Sequence, residues 1–116
     1  MNTENKEIIE LMRVNGVPKD IAQLLLALQN FGGLTQDDIT EHTGLRQPSV
    51  SIAVAWAYKR KWVKLKIIRK NRTGRPKYCY SLAKDFQTIV EEIAQERAQE
   101  IACMMNDLKK LKATAI

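Results

Sequence analysis

The sequence predicts a mainly α-helical domain with a small β-hairpin, in the α+β class, followed by one long helix. Apolar residues recur every three or four positions from residue 5 to residue 60, and the period becomes two between residues 62 and 82. A continuous apolar stripe with helical spacing then runs from about residue 85. The 116 residues suffice for one domain and one further helix. We expect residues 1–83 to form the domain and residues 84–116 the long C-terminal helix.

Four helices are predicted before the hairpin, and local signals mark several of their ends. Pro18 can occupy the first turn of a helix without losing a hydrogen bond, and Pro48 can do the same further along. Thr35 with Asp38 three residues later is a variant of the capping box, and Gly44 can end the short helix that follows. The expected ranges are 5–14, 19–30, 36–42 and about 47–60.

The hairpin is predicted from two segments of alternating polarity. Val63, Leu65 and Ile67 alternate with two lysines in the first segment, and residues 77–82 alternate in the second. The residues between them include the Asn, Gly and Pro that are typical of a loop. We therefore expect two antiparallel strands joined by a loop at residues 69–76.

The positive charge is concentrated in one part of the chain. The net charge is +6, but ten of the nineteen basic residues lie between residues 59 and 77, where no acidic residue occurs. The rest of the chain has a net charge of −4. A basic segment is often only a solvated surface, yet so many cations without counter-charges repel one another, and a polyanion would be attracted to them. The segment comprises Lys59, Arg60, Lys61, Lys64, Lys66, Arg69, Lys70, Arg72, Arg75 and Lys77.

The order of helix, tight turn, helix and hairpin is that of a helix-turn-helix with a wing. The segment LTQDDITEHTGLRQPSVSIAVAWAYKRKWV at residues 34–63 resembles the winged-helix regulators of the MarR, ArsR and TrmB type. The turn from Gly44 to Ser51 is especially similar to the start of a MarR-like recognition helix. Gly74-Arg75-Pro76-Lys77-Tyr78 is similar to the Gly-Arg-Pro hairpin of the same group. The resemblance covers about residues 20–83.

This resemblance implies a DNA-binding transcriptional regulator whose recognition helix, about residues 47–60, enters the major groove of double-stranded DNA. The basic wing at residues 69–77 would then reach the minor groove or the backbone, with Arg75 as the candidate for insertion. Gln47 could pair with adenine, and Ile52 could contact thymine methyl groups. The expected DNA-contacting residues are Arg46, Gln47, Ser49, Ser51, Ile52, Lys59, Arg69, Lys70, Arg72, Arg75 and Lys77.

Some residues of this helix admit a second interpretation. Ser49 and Ser51 could instead cap or solvate the first turn. The spacing of Val50, Val54 and Ala57 assigns them to the inward face. Trp56 departs from the polar residues usual at its position, and we expect it to pack against the first helix or a partner subunit rather than to contact DNA.

The long C-terminal helix is the expected dimer interface, because an amphipathic helix of about 45 Å is longer than its domain can cover. Residues 85–100 have a net charge of −4 and residues 101–116 a net charge of +2, which favours an antiparallel partner. The alternative is that the helix folds back on its own domain. The expected interface residues are Ile89, Val90, Ile93, Ile101, Met104, Met105, Leu108 and Leu111.

Several function classes are not expected. His42 is the only histidine, and none of the usual catalytic motifs occurs, so we do not expect an enzyme. Cys79 and Cys103 lack metal-ligand spacing, and neither a metal nor a cofactor is expected. No apolar run is long enough for a membrane span, and we expect a cytoplasmic, nucleoid-associated protein without a membrane partner. The sequence identifies no effector. An architectural DNA-binding protein and a winged helix that binds proteins remain alternatives.

Overall fold

The structure is a computed structural model that describes residues 3–70, 74 and 76–115, and residues 3, 69 and 70 by their backbone alone. The elements follow the predicted order, and the predicted helices and hairpin are confirmed with ends within one or two residues of those expected. The elements are α1 (Thr3–Val14), α2 (Lys19–Phe31), β1 (Leu34–Thr35), α3 (Gln36–Thr43), α4 (Gln47–Lys59), β2 (Val63–Lys70), β3 (Pro76–Leu82) and α5 (Phe86–Thr114).

The sheet has a third strand that the sequence did not reveal. The strand order is β1-β3-β2, and all neighbours are antiparallel. Leu34 lies opposite Tyr80 and Thr35 opposite Cys79. A strand of two residues is too short to show an alternating pattern, which explains why it was missed. β1 fastens the hairpin to the segment between α2 and α3.

The core forms around α2, which is buried over most of its circumference. Five large side chains are fully buried and come from four different helices, namely Leu24, Leu25, Ile39, Val50 and Ile89. Burying such side chains contributes about 1.5–3 kcal/mol each, before the cost of ordering the chain is subtracted. Because α3, α4 and the start of α5 all pack on this cluster, their relative orientation is determined by a single core.

Two local motifs fix the ends of α3 and α4. The Thr35 hydroxyl accepts a hydrogen bond from the Asp38 amide at 3.2 Å, and the Asp38 carboxylate accepts one from the Thr35 amide at 3.1 Å. This confirms the predicted capping box, and the hydrogen bond from the Thr35 amide, followed by the interaction with the Thr35 side chain, holds the pKa of Asp38 below its ordinary value. Two residues after the end of α4, Lys61 is a non-glycine residue with a φ of 65°. The amides of Lys61 and Trp62 cap the carbonyls of Tyr58 and Ala57 there.

The last helix extends well beyond the rest of the molecule. The described residues span 72 × 31 × 24 Å, and every side chain of α5 from residue 98 onwards is exposed. Only Ile89 and Ile93 of this helix lie in the core. The alternative that α5 folds back on its own domain is therefore wrong for its C-terminal half. None of the helices in the described part of the chain combines the length and the hydropathy that a transmembrane span requires.

Candidate DNA interface

The helix α4 has one face in the core and the opposite face in solvent. Val50, Ala53, Val54 and Ala57 are buried, which confirms the inward assignment made from their spacing for three of them. The outward residues follow the i, i+4, i+7, i+11 spacing of one helical face, and they are Pro48, Ile52, Ala55 and Lys59. This outward face is accessible to a large partner along its whole length.

Hydrogen bonds from α3 hold the N-terminal end of α4. The Gln36 side-chain amide donates to the Gln47 carbonyl oxygen at 3.2 Å and to the Ser51 hydroxyl at 3.1 Å. The Gln47 side-chain amide donates to the Asp37 carboxylate at 3.2 Å. The two helices of the helix-turn-helix are thus joined by side chains as well as by the core. Sequence reasoning missed the roles of Gln36 and Asp37, for which the only signal was their place just after a helix cap.

The structure brings most of the expected α4 contacts to the accessible side. Arg46, Gln47, Ser51, Ile52 and Lys59 are exposed, whereas Ser49 is half-buried. Ile52 is 70% exposed, which is unusual for a large aliphatic side chain.

Tyr58 was not among the expected contacts, yet it is exposed and follows Ser51 by seven residues, which places both side chains on one side of the helix. That i, i+7 relation was the signal available in the sequence.

The wing has two chemically different faces. Leu65 lies opposite Tyr80 and Ile67 opposite Tyr78, so these four side chains share one face. The other face carries Lys64 and Lys66, which are both exposed.

The register of the two wing strands shifts between Ile67 and Arg69, and a bulge of this kind bends a strand and increases its twist. Lys77 is exposed near the outer end of β3. The expected contacts Arg72 and Arg75, and the side chains of Arg69 and Lys70, lie outside what the structure describes.

A cluster of aromatic and charged side chains joins the end of α4 to α5. Trp62 is only 2% exposed, and its indole Nε1 donates to the Glu92 carboxylate at 3.2 Å. Trp56 packs edge-on against Trp62 with ring centroids 5.5 Å apart. The Arg60 guanidinium lies 4.0 Å from the centroid of the Trp56 ring and 2.7 Å from the Glu96 carboxylate. Trp56 thus packs within its own chain, against Trp62 and the core.

This cluster also changes the interpretation of the basic segment. Arg60 belongs to the segment, but its charge is paired with Glu96. By contrast, Lys59 and Lys64 form no ion pair with the described residues. The segment therefore contains at least one cation that serves the fold and others, such as Lys59 and Lys64, whose counter-charges come from solvent or from a partner.

The apolar stripe of α5 divides into two parts, which corrects one expectation. Ile89 and Ile93 were expected in a dimer interface, but they are 0% and 8% exposed because they fill the chain's own core. The remaining expected residues are large, apolar and exposed, and they are Val90, Ile101, Met104, Met105, Leu108 and Leu111. Part of this stripe borders an apolar groove of about 460 Å³ between α1 and α5, lined by Ile8, Leu11, Met12, Val90, Ala94, Ala98 and Ile101, among others.

The described residues contain no group of three or more His, Cys, Asp or Glu side chains arranged to hold a metal ion. No protein-family model and no curated protein matches the sequence.

Solved structures do match, at low sequence identity. TrmBL2, described as an archaeal chromatin protein with a novel mode of DNA binding, aligns with a TM-score of 0.71 and 15% identity over 94% of this chain. The fold is a winged helix-turn-helix. The chain spans 39% of the length of TrmBL2, so it corresponds to only part of that protein.

Two matches agree with this chain over most of both lengths. A protein described as a possible transcriptional regulator from Methanosarcina mazei Go1 has a TM-score of 0.65 and 15% identity, with 93% of this chain and 86% of that chain covered. BpsR from Bordetella bronchiseptica has a TM-score of 0.56 and 17% identity, with 94% and 93% covered. At these identities the comparisons confirm the winged-helix fold that the sequence predicted.

Proposed function

We propose that this protein is a DNA-binding transcriptional regulator. The observation that carries the proposal is the exposed outward face of α4, which a single core and the Gln36 hydrogen bonds hold in place beside a basic segment. An exposed helix of this kind fits the major groove, and unpaired lysines such as Lys59 attract phosphates. The BpsR structure concerns the regulation of DNA binding, which is consistent with this role for the fold. Such a protein would act in the cytoplasm, on the nucleoid.

In the proposed complex, α4 lies in the major groove and the wing contacts the neighbouring minor groove or backbone. Gln47 retains one side-chain N–H and its carbonyl oxygen for a base edge, because Asp37 accepts only one of its donors. Arg46, in the turn before α4, is suited to a phosphate. Arg72 and Arg75 at the wing supply the charge for the second contact, with Arg75 as the candidate for minor-groove insertion.

We also propose that the protein forms a two-fold dimer through α5. The exposed apolar side chains from Ile101 to Leu111 would be covered by the same stripe of a second copy. An antiparallel pairing places the acidic first half of one helix against the basic second half of the other. Two DNA-reading helices related by a two-fold axis would bind half-sites about 10 bp apart, or a multiple of that distance.

A matched pair of substitutions tests this dimer. Leu108→Glu places a charge in the proposed interface and should convert a dimer into a monomer in sedimentation equilibrium at micromolar concentration. Asn106→Glu introduces the same residue and the same change of charge on the opposite side of α5, and it should leave the dimer intact. A wild-type monomer, or an equal effect of both substitutions, would exclude the interface. Both side chains are exposed in a single chain, so neither change disturbs the core.

An architectural role is the second candidate, because TrmBL2 is described as a chromatin protein. The two roles differ in sequence preference, since a specific regulator binds its site about 10³-fold or more tightly than other DNA. Selection from a random duplex pool, followed by competition with bulk DNA, distinguishes them. A selected site that resists competition supports the regulator, and the absence of any preferred site supports the architectural protein.

The proposal as a whole is tested by a salt titration. If a dimer neutralises six to ten phosphates, its DNA affinity should fall by roughly 10³ to 10⁵ between 50 and 200 mM salt. Fluorescence anisotropy of a labelled duplex measures this directly. An affinity that does not change with salt, or no binding at low salt, would overturn the proposal. Either result would favour instead a winged helix that binds an acidic protein.

An effector is a further element that the comparisons suggest but do not identify. BpsR is regulated by 6-hydroxynicotinic acid, and NadR was solved with 4-hydroxyphenylacetate. We propose that a small molecule regulates the DNA binding of this protein, and a screen of aromatic acids for loss of DNA binding tests the proposal.

A further inference from the structure

The outward face of α4 has an unusual composition for a helix that reads DNA. No charged residue occurs from Gln47 to Tyr58, which is three full turns. The middle turns of this face present Ile52, which is 70% exposed, and Ala55, which is also exposed. Neither can form a hydrogen bond with its side chain. Lys59 is the first cation on this face, and it stands at the last residue of the helix.

The polar groups that remain on the helix are already partly engaged. The Ser51 hydroxyl accepts a hydrogen bond from Gln36, and the Gln47 amide donates one to Asp37. Ser49 is half-buried. On the exposed side of α4, hydrogen-bond reading is therefore restricted to the free groups of Gln47 and Ser51 in the first turn and a half and to the Tyr58 hydroxyl in the last turn.

With this composition, the middle of α4 cannot recognise G·C pairs in the most common ways. Guanine is usually read by a bidentate arginine or lysine, and cytosine by a carboxylate, and the middle of the helix offers neither. Thymine is different because it alone among the unmodified bases presents a methyl group in the major groove. An exposed aliphatic side chain is complementary to that methyl group and to no other base edge.

We propose that Ile52, supported by Ala55, is a specificity-determining residue that reads the C5-methyl group of thymine. This inference rests on the proposed function, since it assumes that α4 enters the major groove. The preferred sites would be rich in thymine where the middle of α4 lies. Because 5-methylcytosine carries a methyl group at the same position, a methylated cytosine at that point should bind more tightly than an unmodified one.

The experiment replaces thymine by deoxyuracil, which differs only in lacking the methyl group. A duplex selected from a random pool is resynthesised with deoxyuracil at one thymine at a time, and affinities are measured by anisotropy at fixed salt. Burial of one methyl-sized group corresponds to about a fourfold change in affinity. We expect such a loss at one or two thymines in each half-site. Replacing the critical T·A pair by C·G and then methylating the cytosine should produce a gain of about the same size.

Ile52→Ala links the effect to the side chain. In this variant the thymine and deoxyuracil duplexes should bind equally, because the contact is already lost. Val14→Ala is the matched control, since Val14 is an exposed aliphatic residue that belongs to α1 and not to the outward face of α4. It should retain the wild-type preference for thymine.

The outcomes separate this inference from the proposed function. Failure to bind any duplex would overturn the proposed function itself. Salt-dependent binding with equal affinity for thymine and deoxyuracil at every position would leave that function standing and overturn the methyl contact. A thymine preference that survives in Ile52→Ala would also overturn the assignment to Ile52.

Discussion

Lys59 and Arg60 are adjacent in the sequence and carry the same charge, but the structure predicts opposite consequences when each is neutralised. Lys59 lies on the outward face of α4 and forms no ion pair with the described residues. Arg60 is turned the other way, against Trp56 and Glu96. Replacement of each by glutamine removes one positive charge and keeps a polar side chain. The pair therefore distinguishes a cation available to DNA from one committed to the fold.

The stability change follows from the contacts of Arg60. Its ion pair with Glu96 is 2.7 Å long, but the two side chains are 36% and 48% exposed, so solvent screening limits its value to about 1 kcal/mol or less. The guanidinium 4.0 Å from the Trp56 ring adds about 0.5–1 kcal/mol. Arg60→Gln should thus lower the free energy of unfolding by about 0.5–2 kcal/mol. Lys59→Gln should change it by less than about 0.5 kcal/mol.

The DNA-binding change has the reverse pattern. Losing one phosphate contact reduces the slope of log affinity against log salt by about one. Lys59→Gln should therefore reduce this slope by about one for each protomer, whereas Arg60→Gln should leave the slope unchanged. Urea unfolding followed by far-ultraviolet circular dichroism measures the stability, and salt-dependent anisotropy measures the slope. A reduced slope with unchanged stability in Arg60→Gln would refute the role assigned to the aromatic cluster.

Three further predictions concern the fold. A Cβ on Gly33 would lie 2.8 Å from the Cys79 sulfur, so Gly33→Ala should destabilise the protein by about 1–3 kcal/mol. When Cys79→Ala is already present, Gly33→Ala should no longer cause this loss of stability, and additive effects of the two substitutions would contradict the close contact. Lys61 has a left-handed backbone, so Lys61→Gly should be about 1 kcal/mol more stable to urea than Lys61→Ala, and equal stability would count against the conformation. Because Thr35 lowers the pKa of Asp38, the Asp38 carboxylate should stabilise the fold above the ordinary aspartate pKa, and this stabilisation should be lost as the pH falls through the lowered value. A difference in unfolding free energy between wild type and Asp38→Asn that stays the same from pH 7 to pH 3 would argue against this role of Asp38.

The parts of the fold that follow from local chemistry could be predicted from the sequence. The capping box at Thr35 and the change of period after α4 depend on neighbouring residues, and both are confirmed. β1 could not be predicted, because its two residues form a strand only through pairing with β3. The same holds for the burial of Ile89 and Ile93, which have the same spacing as the exposed part of the α5 stripe.

The candidate site shows the same division between local and tertiary information. The spacing of α4 assigned Val50, Val54 and Ala57 correctly to the inward face, since that follows from helix geometry, but it did not identify the buried Ala53 or the partial burial of Ser49. The engagement of Gln36 with Ser51 and the packing of Trp56 on Trp62 depend on how separate elements meet, which no local pattern encodes. The same limit applies to Arg60, whose charge seemed equivalent to those of its neighbours until Glu96 was found beside it.

The central claim, that the outward face of α4 binds DNA, is tested most directly by placing a negative charge there. Ile52→Glu leaves the core untouched because the side chain is 70% exposed, while the carboxylate would face phosphates and base edges at a cost of several kcal/mol. We predict that this variant folds normally and binds a labelled duplex at least about tenfold more weakly than wild type. Val14→Glu places the same charge on α1, and its DNA affinity should stay within about twofold of the wild-type affinity. This change is well below a tenfold loss, which corresponds to about 1.4 kcal/mol. Wild-type affinity in a folded Ile52→Glu variant would contradict the account.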